Sequence, residues 1–317
     1  MNFLWYLMVR VSGALATIVV GSFLIFMVMK MAPGDPAVTA LGENATAETI
    51  AAFRAENGLD RPLLGQFVLW GNRAMVGDFG LSIALAGKFP INSMIESRLP
   101  ITMFIGIYGL VLALVMSMVF GTIAALRHGK FADTAATSVA VLGISMPDFW
   151  LSYVLIFVFA LNLTWFPSYG FVNPGDSFLG ALHSGFLPAL AIAAPMAGVF
   201  TRILRAALLE TKRREFVTAA RSYGFSGAFV FVHYVFRNAI IPFVTVVGLQ
   251  VRYLLGGVVI IERVFGIAGM GSLVVDAAFG RDYPVVQACA VTFLIIVLSV
   301  NLFVDIACAM LDPKRTR

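Results

Sequence analysis

Few residues of this sequence have types and spacings that could catalyse a reaction. A nucleotide-binding P-loop needs Gly-Lys followed by Ser or Thr, but Gly87-Lys88 and Gly129-Lys130 are each followed by Phe. The histidines His128, His183 and His233 lie far apart without metal-ligand spacing, and neither Gly-x-Ser-x-Gly nor His-Glu-x-x-His occurs. We therefore expect no enzyme. The chain should neither hydrolyse ATP by itself nor bind a cofactor, and its histidines should serve packing or interfaces.

A polar segment between two long apolar runs is a better candidate for a functional surface. Residues 215–244 read EFVTAARSYGFSGAFVFVHYVFRNAIIPFV in a chain that is only 12% charged. Their first part predicts a short helix that ends at Gly224, with Ala219-Ala220 forming a surface almost free of side chains. Such a surface permits close approach by a partner, and Glu215 and Arg221 could add charged contacts at its rim. The alternative is an amphipathic helix that lies on lipid headgroups.

Two charged residues lie inside apolar runs. Asp148 follows Met146 and Pro147 near the middle of one run, and Arg252 lies near the middle of another. Exposing either charge to lipid would cost roughly a few kcal/mol, so both are expected to face protein or a polar pathway. They either pair with each other or with a partner and hold helices together, or they line a cavity that a solute crosses.

Membrane-spanning helices must position these residues. The chain is 60% hydrophobic with a mean hydropathy of +0.92, which leaves too little polar surface for a soluble protein of this size. A helix needs about 20 apolar residues to cross the hydrocarbon core of a bilayer. The first run is too long for a signal-peptide core and no small-residue cleavage site follows it. The sequence therefore predicts an all-α membrane protein with six spans: 11–31, 101–126, 134–162, 180–201, 239–261 and 284–310.

The distribution of Lys and Arg predicts the orientation, because cytoplasmic loops retain these residues. With the N-terminus inside, seven basic residues fall in the inner segment 202–237, whereas the outer segment 163–179 has none. The outer segment 33–100 holds five basic and seven acidic residues. Both termini are therefore predicted to be cytoplasmic. The net charge of +5 reflects this asymmetry and gives no reason to expect nucleic-acid binding.

Segment 33–100 is long for a loop and predicts a small external subdomain. Within it, AETIAAFRAENG has Glu48 in its first turn and Gly58 at its end, as a capped helix does. The stretch PLLGQFVLWGNRAM (62–75) places apolar residues near one stripe and predicts a second helix. The predicted organisation is a first transmembrane helix (1–32), the external subdomain (33–100), and a core of five spans (101–317) with the cytoplasmic loop 202–237.

Motifs along the whole chain resemble one family. TAARSYG (218–224), followed eighteen residues after its glycine by Pro242, resembles the coupling-loop motif of bacterial ABC importer permeases, usually written Glu-Ala-Ala then Gly. Thr218 stands where many importers have the glutamate, and the glycine-to-proline spacing is longer than the common form. Both departures resemble the dipeptide/oligopeptide/nickel branch. Six further motifs are similar to that branch: PGDP (33–36), GLDRPL (58–63), GDFGLS (77–82), SMPDFW (145–150), GRDYPVVQ (280–287) and LDP (311–313).

The resemblance implies a type I ABC importer permease in the bacterial cytoplasmic (inner) membrane. The chain would form a heterodimer with a second homologous permease. Two ABC ATPase subunits, which bind ATP and Mg, would dock beneath it, and an external solute-binding protein would deliver substrate. Closure of the ATPases would rotate the coupling helices and switch the pathway between inward-facing and outward-facing forms. By position, the coupling residues are Glu215, Thr218, Ala219, Ala220, Arg221 and Gly224.

The substrate stays open at this point. The branch imports dipeptides, longer peptides, nickel complexes, glutathione and some oligosaccharides, and selection lies largely in the binding protein. A peptide is the first expectation, with Met146, Pro147, Asp148 and Arg252 as candidate pathway residues whose charges complement the peptide's termini. A secondary transporter would usually need more spans or an internal repeat, and a channel a filter or charged ring. Neither alternative explains Ala219-Ala220 in a long cytoplasmic loop.

Overall fold

The computed structural model of the chain describes residues 3–31, 36–42, 45–56, 58–84 and 89–311. These residues form an all-helical fold, and the one strand-like pairing among them is an isolated bridge between Leu81 and Pro90. The predicted all-α class is confirmed. Three predicted features fall outside the described part: residues 33–35 of the PGDP motif, residues 312–313 of the LDP motif, and the side chain of Arg252.

Several helices are long enough to cross a membrane. Among the described residues, five helical stretches have the required length and apolar composition, and the number rises to seven if two helix pairs bent at a break each form a span. The predicted six lies within this range. In chain order the helices are α1 (Phe3–Met31), α2 (Pro36–Leu41), α3 (Ala47–Glu56), α4 (Leu63–Met75), α5 (Ile91–Leu126), α6 (Phe131–Ser145), α7 (Asp148–Leu155), α8 (Phe178–Lys212), α9 (Glu215–Ser222), α10 (Gly227–Val230), α11 (Arg237–Phe265), α12 (Met270–Phe279) and α13 (Tyr283–Leu311).

The run 134–162 differs from the single span that its hydropathy predicts. Helix α6 ends at Ser145, and the next helical stretch, α7 with a π-helical continuation to Asn162, leaves at an angle of 111°. Pro147 causes the break, since its ring disfavours the helical conformation in the preceding residue. Met146 accordingly has an extended backbone, with φ −90° and ψ 129°. Average hydropathy cannot reveal this corner, because both of its arms are apolar.

The chain forms two compact units. The first contains residues 103–267 together with short stretches at both ends of the chain. Its centre is α8, whose middle is lined with buried alanines and glycines. A Cβ on Gly143 of α6 would lie only 2.6 Å from the carbonyl oxygen of Ala194 in α8, so the two backbones are in close contact. Small residues at helix crossings are typical of membrane proteins, where association depends on close packing.

The second unit comprises residues 9–102 and 268–299. Its hydrophobic core joins the start of α5 to α12 and α13 through side chains such as Ile91, Met270 and Val285. The segment before α5 is tied to the α12–α13 corner by the buried carboxylate of Asp282. One oxygen of Asp282 accepts hydrogen bonds from Ser82 Oγ at 2.5 Å and from the backbone N–H groups of Ile83 and Ala84 at 3.1 and 3.0 Å.

The two short helices predicted in segment 33–100 are confirmed as α3 and α4. Glu48 lies in the first turn of α3, and Gly58 follows that helix with φ +66°. Glycine adopts this left-handed conformation without the steric cost of a side chain. Helix α4 begins at Leu63, directly after Pro62. The sequence reasoning did not find α2, which is only six residues long and lacks a clear apolar period.

Candidate functional site

The polar segment after α8 folds as a compact helical corner. Helix α8 ends at Lys212, two residues turn the chain, and α9 begins at Glu215. After α9, Gly224 has φ +84°, and this left-handed residue redirects the backbone. The hydroxyl of Ser226 then accepts a hydrogen bond from the N–H of Phe229 and caps α10, which continues through a π-helical turn into α11. The prediction of a short helix that stops at Gly224 is confirmed.

Helix α9 has one buried side and one exposed side. Val217 is completely buried and Ala220 is 4% exposed, because residues three apart lie on the same face of a helix. The predicted surface of two adjacent alanines is therefore wrong for Ala220, which packs inward. Ala219 is exposed, together with the short side chains of Thr218 and Ser222. The accessible face of α9 consequently combines one alanine and two small hydroxyl-bearing residues with Glu215, which is exposed one turn before them.

Aromatic side chains border this face. Tyr223 is 83% exposed, and Phe216 and Phe225 are exposed as well. The ring of Phe225 lies 5.2 Å from that of Phe229, on which the imidazole of His233 stacks at 4.2 Å between centroids. Aromatic residues are enriched where proteins bind one another. This aromatic rim was not predicted from the sequence, although Phe216 lies within α9 and Tyr223 and Phe225 follow it directly.

A cleft lies beside α9. It has a volume of about 720 Å³ and is open to the surface. Arg214 at its edge donates a hydrogen bond to the carboxylate of Glu210 at 2.5 Å, and both side chains are largely exposed. The cleft mixes charged and apolar groups, as a surface that receives a protein side chain does. Its lining comes from three helices: Ala207, Glu210 and Thr211 of α8, Glu215 and Phe216 of α9, and Asn238 and Pro242 of α11.

An ion pair with a buried carboxylate anchors α8 about two turns before its end. Asp133 is almost completely buried at the start of α6, and both of its oxygens accept hydrogen bonds from the guanidinium of Arg205, at 2.7 and 2.8 Å. The N–H of Gly129 donates to the same carboxylate at 2.9 Å, and His128 Nδ1 lies 3.0 Å from it. The bidentate geometry fixes the α5–α6 corner on α8. No local pattern in the sequence indicates this pair, because its partners are 72 residues apart.

The other two histidines also have structural contacts. His183 Nε2 lies 2.8 Å from the carbonyl oxygen of Trp165, and its ring stacks on Phe166. His233 stacks on Phe229, as described above. The residues that the structure describes contain no group of three His, Cys, Asp or Glu side chains that could hold a metal ion.

The candidate pathway residues lie at the α6–α7 corner and in α11. Asp148 is the first residue of α7 and is half-buried, whereas Pro147 is exposed and Met146 is half-buried. A Cβ on Gly257 of α11 would lie 3.3 Å from the carboxylate of Asp148, so Asp148 reaches α11 where that helix has no side chain. Within the described residues the carboxylate of Asp148 forms no ion pair. Its pairing with Arg252 stays a prediction.

Sequence comparisons identify related proteins over nearly the whole chain. The model of the family described as binding-protein-dependent transport system inner membrane component matches residues 117–317, and the N-terminal model of the same family matches residues 3–105. A glutathione transport system permease protein of Escherichia coli is 37% identical over 97% of each chain. A probable peptide ABC transporter permease protein of Sinorhizobium fredii is 33% identical over 98% of each chain.

A structural comparison supports the same fold. The inward-facing MetNI methionine ABC transporter contains a chain that superposes with a TM-score of 0.57. The match covers 69% of this chain and 96% of that chain at 15% sequence identity. At this identity the likeness concerns the fold alone. It confirms the expected architecture of a type I ABC importer permease.

Proposed function

Because the chain belongs to the family of binding-protein-dependent transport system inner membrane components, we propose that it pairs with a second homologous permease to form the pathway of an ATP-driven importer. The chain is a permease of an ABC importer and not the catalytic component. Two ATPase subunits bind ATP and Mg and supply the energy. An external solute-binding protein delivers the substrate, and this chain converts ATPase movement into opening and closing of the pathway.

The observation that carries this proposal is the exposed small-residue face of α9. Thr218, Ala219 and Ser222 let another backbone approach closely, and the exposed aromatic rings of Tyr223 and Phe225 border the contact. A helix of eight residues between two long membrane helices fits a groove on an ATPase subunit. The alternative, a helix lying on lipid headgroups, is disfavoured because the centre of this face carries small side chains and Glu215, and the exposed aromatic rings lie only at its border.

Packing contacts and an ion pair connect α9 directly to the membrane helices. Val217 and Ala220 are the buried residues by which α9 packs against the rest of the first compact unit, and α9 follows α8 after a two-residue turn. The Asp133–Arg205 pair then ties α8 to the α5–α6 corner. Because this pair is bidentate and its carboxylate is buried, we expect α8 and the corner to move as one body when the ATPases close.

The proposed function also implies which side of the membrane each segment occupies. Loops on the cytoplasmic side retain Lys and Arg, and the α8–α11 connection carries Lys212, Arg213, Arg214 and Arg221. We therefore place α9 and both chain termini in the bacterial cytoplasm, and the segment between α1 and α5 outside the inner membrane. Labelling of single cysteines by a membrane-impermeant maleimide in intact cells tests this orientation. Reagent access at Ala219 from outside the cell would contradict it.

The proposed substrate is a short peptide. Relatives that share a third of their residues with this chain carry names for peptide and glutathione transport, and glutathione is itself a small peptide. Asp148 beside Gly257 offers a carboxylate for an ammonium group, and Arg252 on the same helix as Gly257 offers a cation for a carboxylate. Under this proposal Arg252→Gln lowers uptake of peptides with a free C-terminus more than uptake of amidated peptides. An equal loss for both would remove Arg252 from the pathway.

The decisive test is a substitution on the exposed face. Ala219→Arg places a long charged side chain there without disturbing the buried contacts of Val217 and Ala220. The complex with its second permease, ATPases and binding protein is reconstituted in proteoliposomes, and peptide uptake and ATP hydrolysis are measured. We expect Ala219→Arg to abolish the stimulation of ATP hydrolysis by loaded binding protein, whereas Ala219→Ser retains it. Normal stimulation in Ala219→Arg would contradict the docking role of α9.

A further inference from the structure

Helix α4 exposes a stripe of large apolar side chains. Leu64, Val68 and Met75 are 67%, 56% and 80% exposed. They lie four and seven residues apart, so they share one face of a helix with 3.6 residues per turn. A groove of about 400 Å³ lies beside Leu64 and Val68, and Leu69, Arg61 and Asn72 also line it. An apolar face of this kind marks an interaction surface, because leaving it in water is unfavourable.

Polar residues border the stripe on one side only. Arg61 and Asn72 are exposed and lie next to the stripe, and Arg73 is exposed on the opposite side of the helix. On the other side of the stripe, Phe67 points toward α1. Around the circumference of α4, the protein contact at Phe67 is followed by the apolar stripe and then by a basic and polar edge. Helices that lie in the plane of a membrane interface show this order of surfaces.

The contact between α4 and α1 indicates how far α4 lies from the end of the α1 membrane span. The ring of Phe67 lies 5.1 Å from that of Phe23 and 5.6 Å from that of Phe26, both in edge-to-face arrangements. Phe26 and Phe23 precede Met31, the last residue of α1, by five and eight residues. At a rise of about 1.5 Å per residue, these rings lie roughly 7 to 12 Å from the end of the span. Interfacial helices bury their apolar face about 5–10 Å deep.

The surface of α1 near this contact is itself apolar and open. Leu24 and Val28 are exposed between Phe23 and Met31. The first charge at this end of α1 is Lys30, whose ammonium lies 5.5 Å from the centre of the Phe26 ring. The exposed side of α1 therefore lies at the level of Phe67, which stands between Leu64 and Val68 in α4.

From these observations we propose that α4 is an interfacial helix whose stripe of Leu64, Val68 and Met75 is immersed in the lipid leaflet that α1 reaches at Met31. Acyl chains occupy the groove beside the stripe. Arg61 keeps its charged end among the lipid phosphates while its alkyl part follows the apolar surface, and Arg73 on the opposite side of the helix faces water. In this arrangement the lipid covers the stripe, and a solute-binding protein does not dock on it. The proposal does not depend on which solute the permease carries.

Depth-resolved spin labelling tests this proposal in the assembled complex. Cys289 and Cys308 are replaced by alanine, and a nitroxide is attached to single cysteines at Leu64, Val68 or Met75. Arg73 on the same helix provides the matched control, and Val19 of α1 provides a lipid-exposed reference. The complex is placed in bilayers of phosphatidylethanolamine and phosphatidylglycerol. Accessibility to oxygen, which concentrates in lipid, is compared with accessibility to chromium oxalate, which stays in water.

The expected ratio of oxygen to chromium oxalate accessibility is several-fold higher at Leu64, Val68 and Met75 than at Arg73, and approaches the ratio at Val19. Two results would overturn the proposal. A ratio at the stripe equal to that at Arg73 would place the stripe in water. Low accessibility to both reagents, or protection that appears only when binding protein is added, would show that protein covers the stripe.

Discussion

Helices α9 and α4 are both short and exposed, yet their surfaces are opposite in character. The exposed face of α9 carries Thr218, Ala219 and Ser222, whereas that of α4 carries Leu64, Val68 and Met75. Small side chains allow a second backbone to approach closely and lose little when water surrounds them. A stripe of large apolar side chains is unfavourable in water and is therefore expected to stay covered by lipid or protein. Helix α9 therefore suits a partner that moves during a transport cycle, while α4 suits the permanent cover of lipid.

The support beneath the two helices differs as well. Helix α9 depends on helix packing and on the Asp133–Arg205 ion pair that anchors α8. Helix α4 depends on the aromatic contact of Phe67 with Phe23 and Phe26. Substitutions in each support should therefore affect one helix and spare the other.

The largest effect is expected for Asp133→Ala. Removing the buried carboxylate leaves Arg205 without its ion-pair partner, and because the Arg205 side chain is 27% exposed, the cost is roughly 2–3 kcal/mol, below that for a fully buried pair. We expect the variant complex to denature at clearly lower denaturant concentration in mixed micelles, and to lose transport. Glu210→Ala removes the exposed partner of Arg214 and serves as the control, with an expected loss below about 1 kcal/mol. Equal stability of the two variants would show that the buried pair has no anchoring role.

An intermediate effect is expected for Phe67→Ala. Each edge-to-face aromatic pair contributes about 0.5–1.5 kcal/mol beyond the area it buries, so the loss of two pairs should free α4 from α1. A nitroxide at Leu64 should then become more mobile, while stimulation of the ATPases by binding protein stays near normal. Phe225→Ala, on the rim beside α9, is the matched aromatic control and should have the reverse pattern. If Phe67→Ala lost ATPase stimulation and Phe225→Ala retained it, α4 rather than α9 would be the helix that couples to the ATPases.

The smallest effect on stability is expected at Gly224. Its φ of +84° is a left-handed conformation, and nothing lies within 4 Å of the Cβ position, so a substitution there strains the backbone without a clash. Gly224→Val should cost about 1–2 kcal/mol or somewhat more and redirect the chain after α9, reducing coupled ATP hydrolysis. Gly224→Asn should be close to wild type, since asparagine tolerates this conformation. Similar activity of both variants would mean that the turn does not position α9.

Sequence reasoning predicted features that depend on local patterns. Most of the apolar runs, the turn at Gly224 and the capped helix α3 each follow from residues close together in the chain, and the structure confirms them, whereas the run 134–162 is broken into two helices. Three other features depend on packing. The inward side of α9 at Ala220, the 111° corner at Pro147 and the Asp133–Arg205 pair involve the environment of distant residues. Of these, only the corner had a local signal, because proline restricts the residue before it.

The most direct test of the account is cross-linking from α9 to the ATPase subunits. Ala219, Ser222 or Ala220 is replaced by a single cysteine in a chain that lacks Cys289 and Cys308. The ATPase subunits carry cysteines in their groove. A short bifunctional thiol reagent is then added to the assembled complex. The account predicts efficient cross-links from Ala219 and Ser222 that change with ATP, and weak ones from the inward-facing Ala220. Absence of cross-links from Ala219 and Ser222 in a complex that still hydrolyses ATP and imports substrate would contradict it.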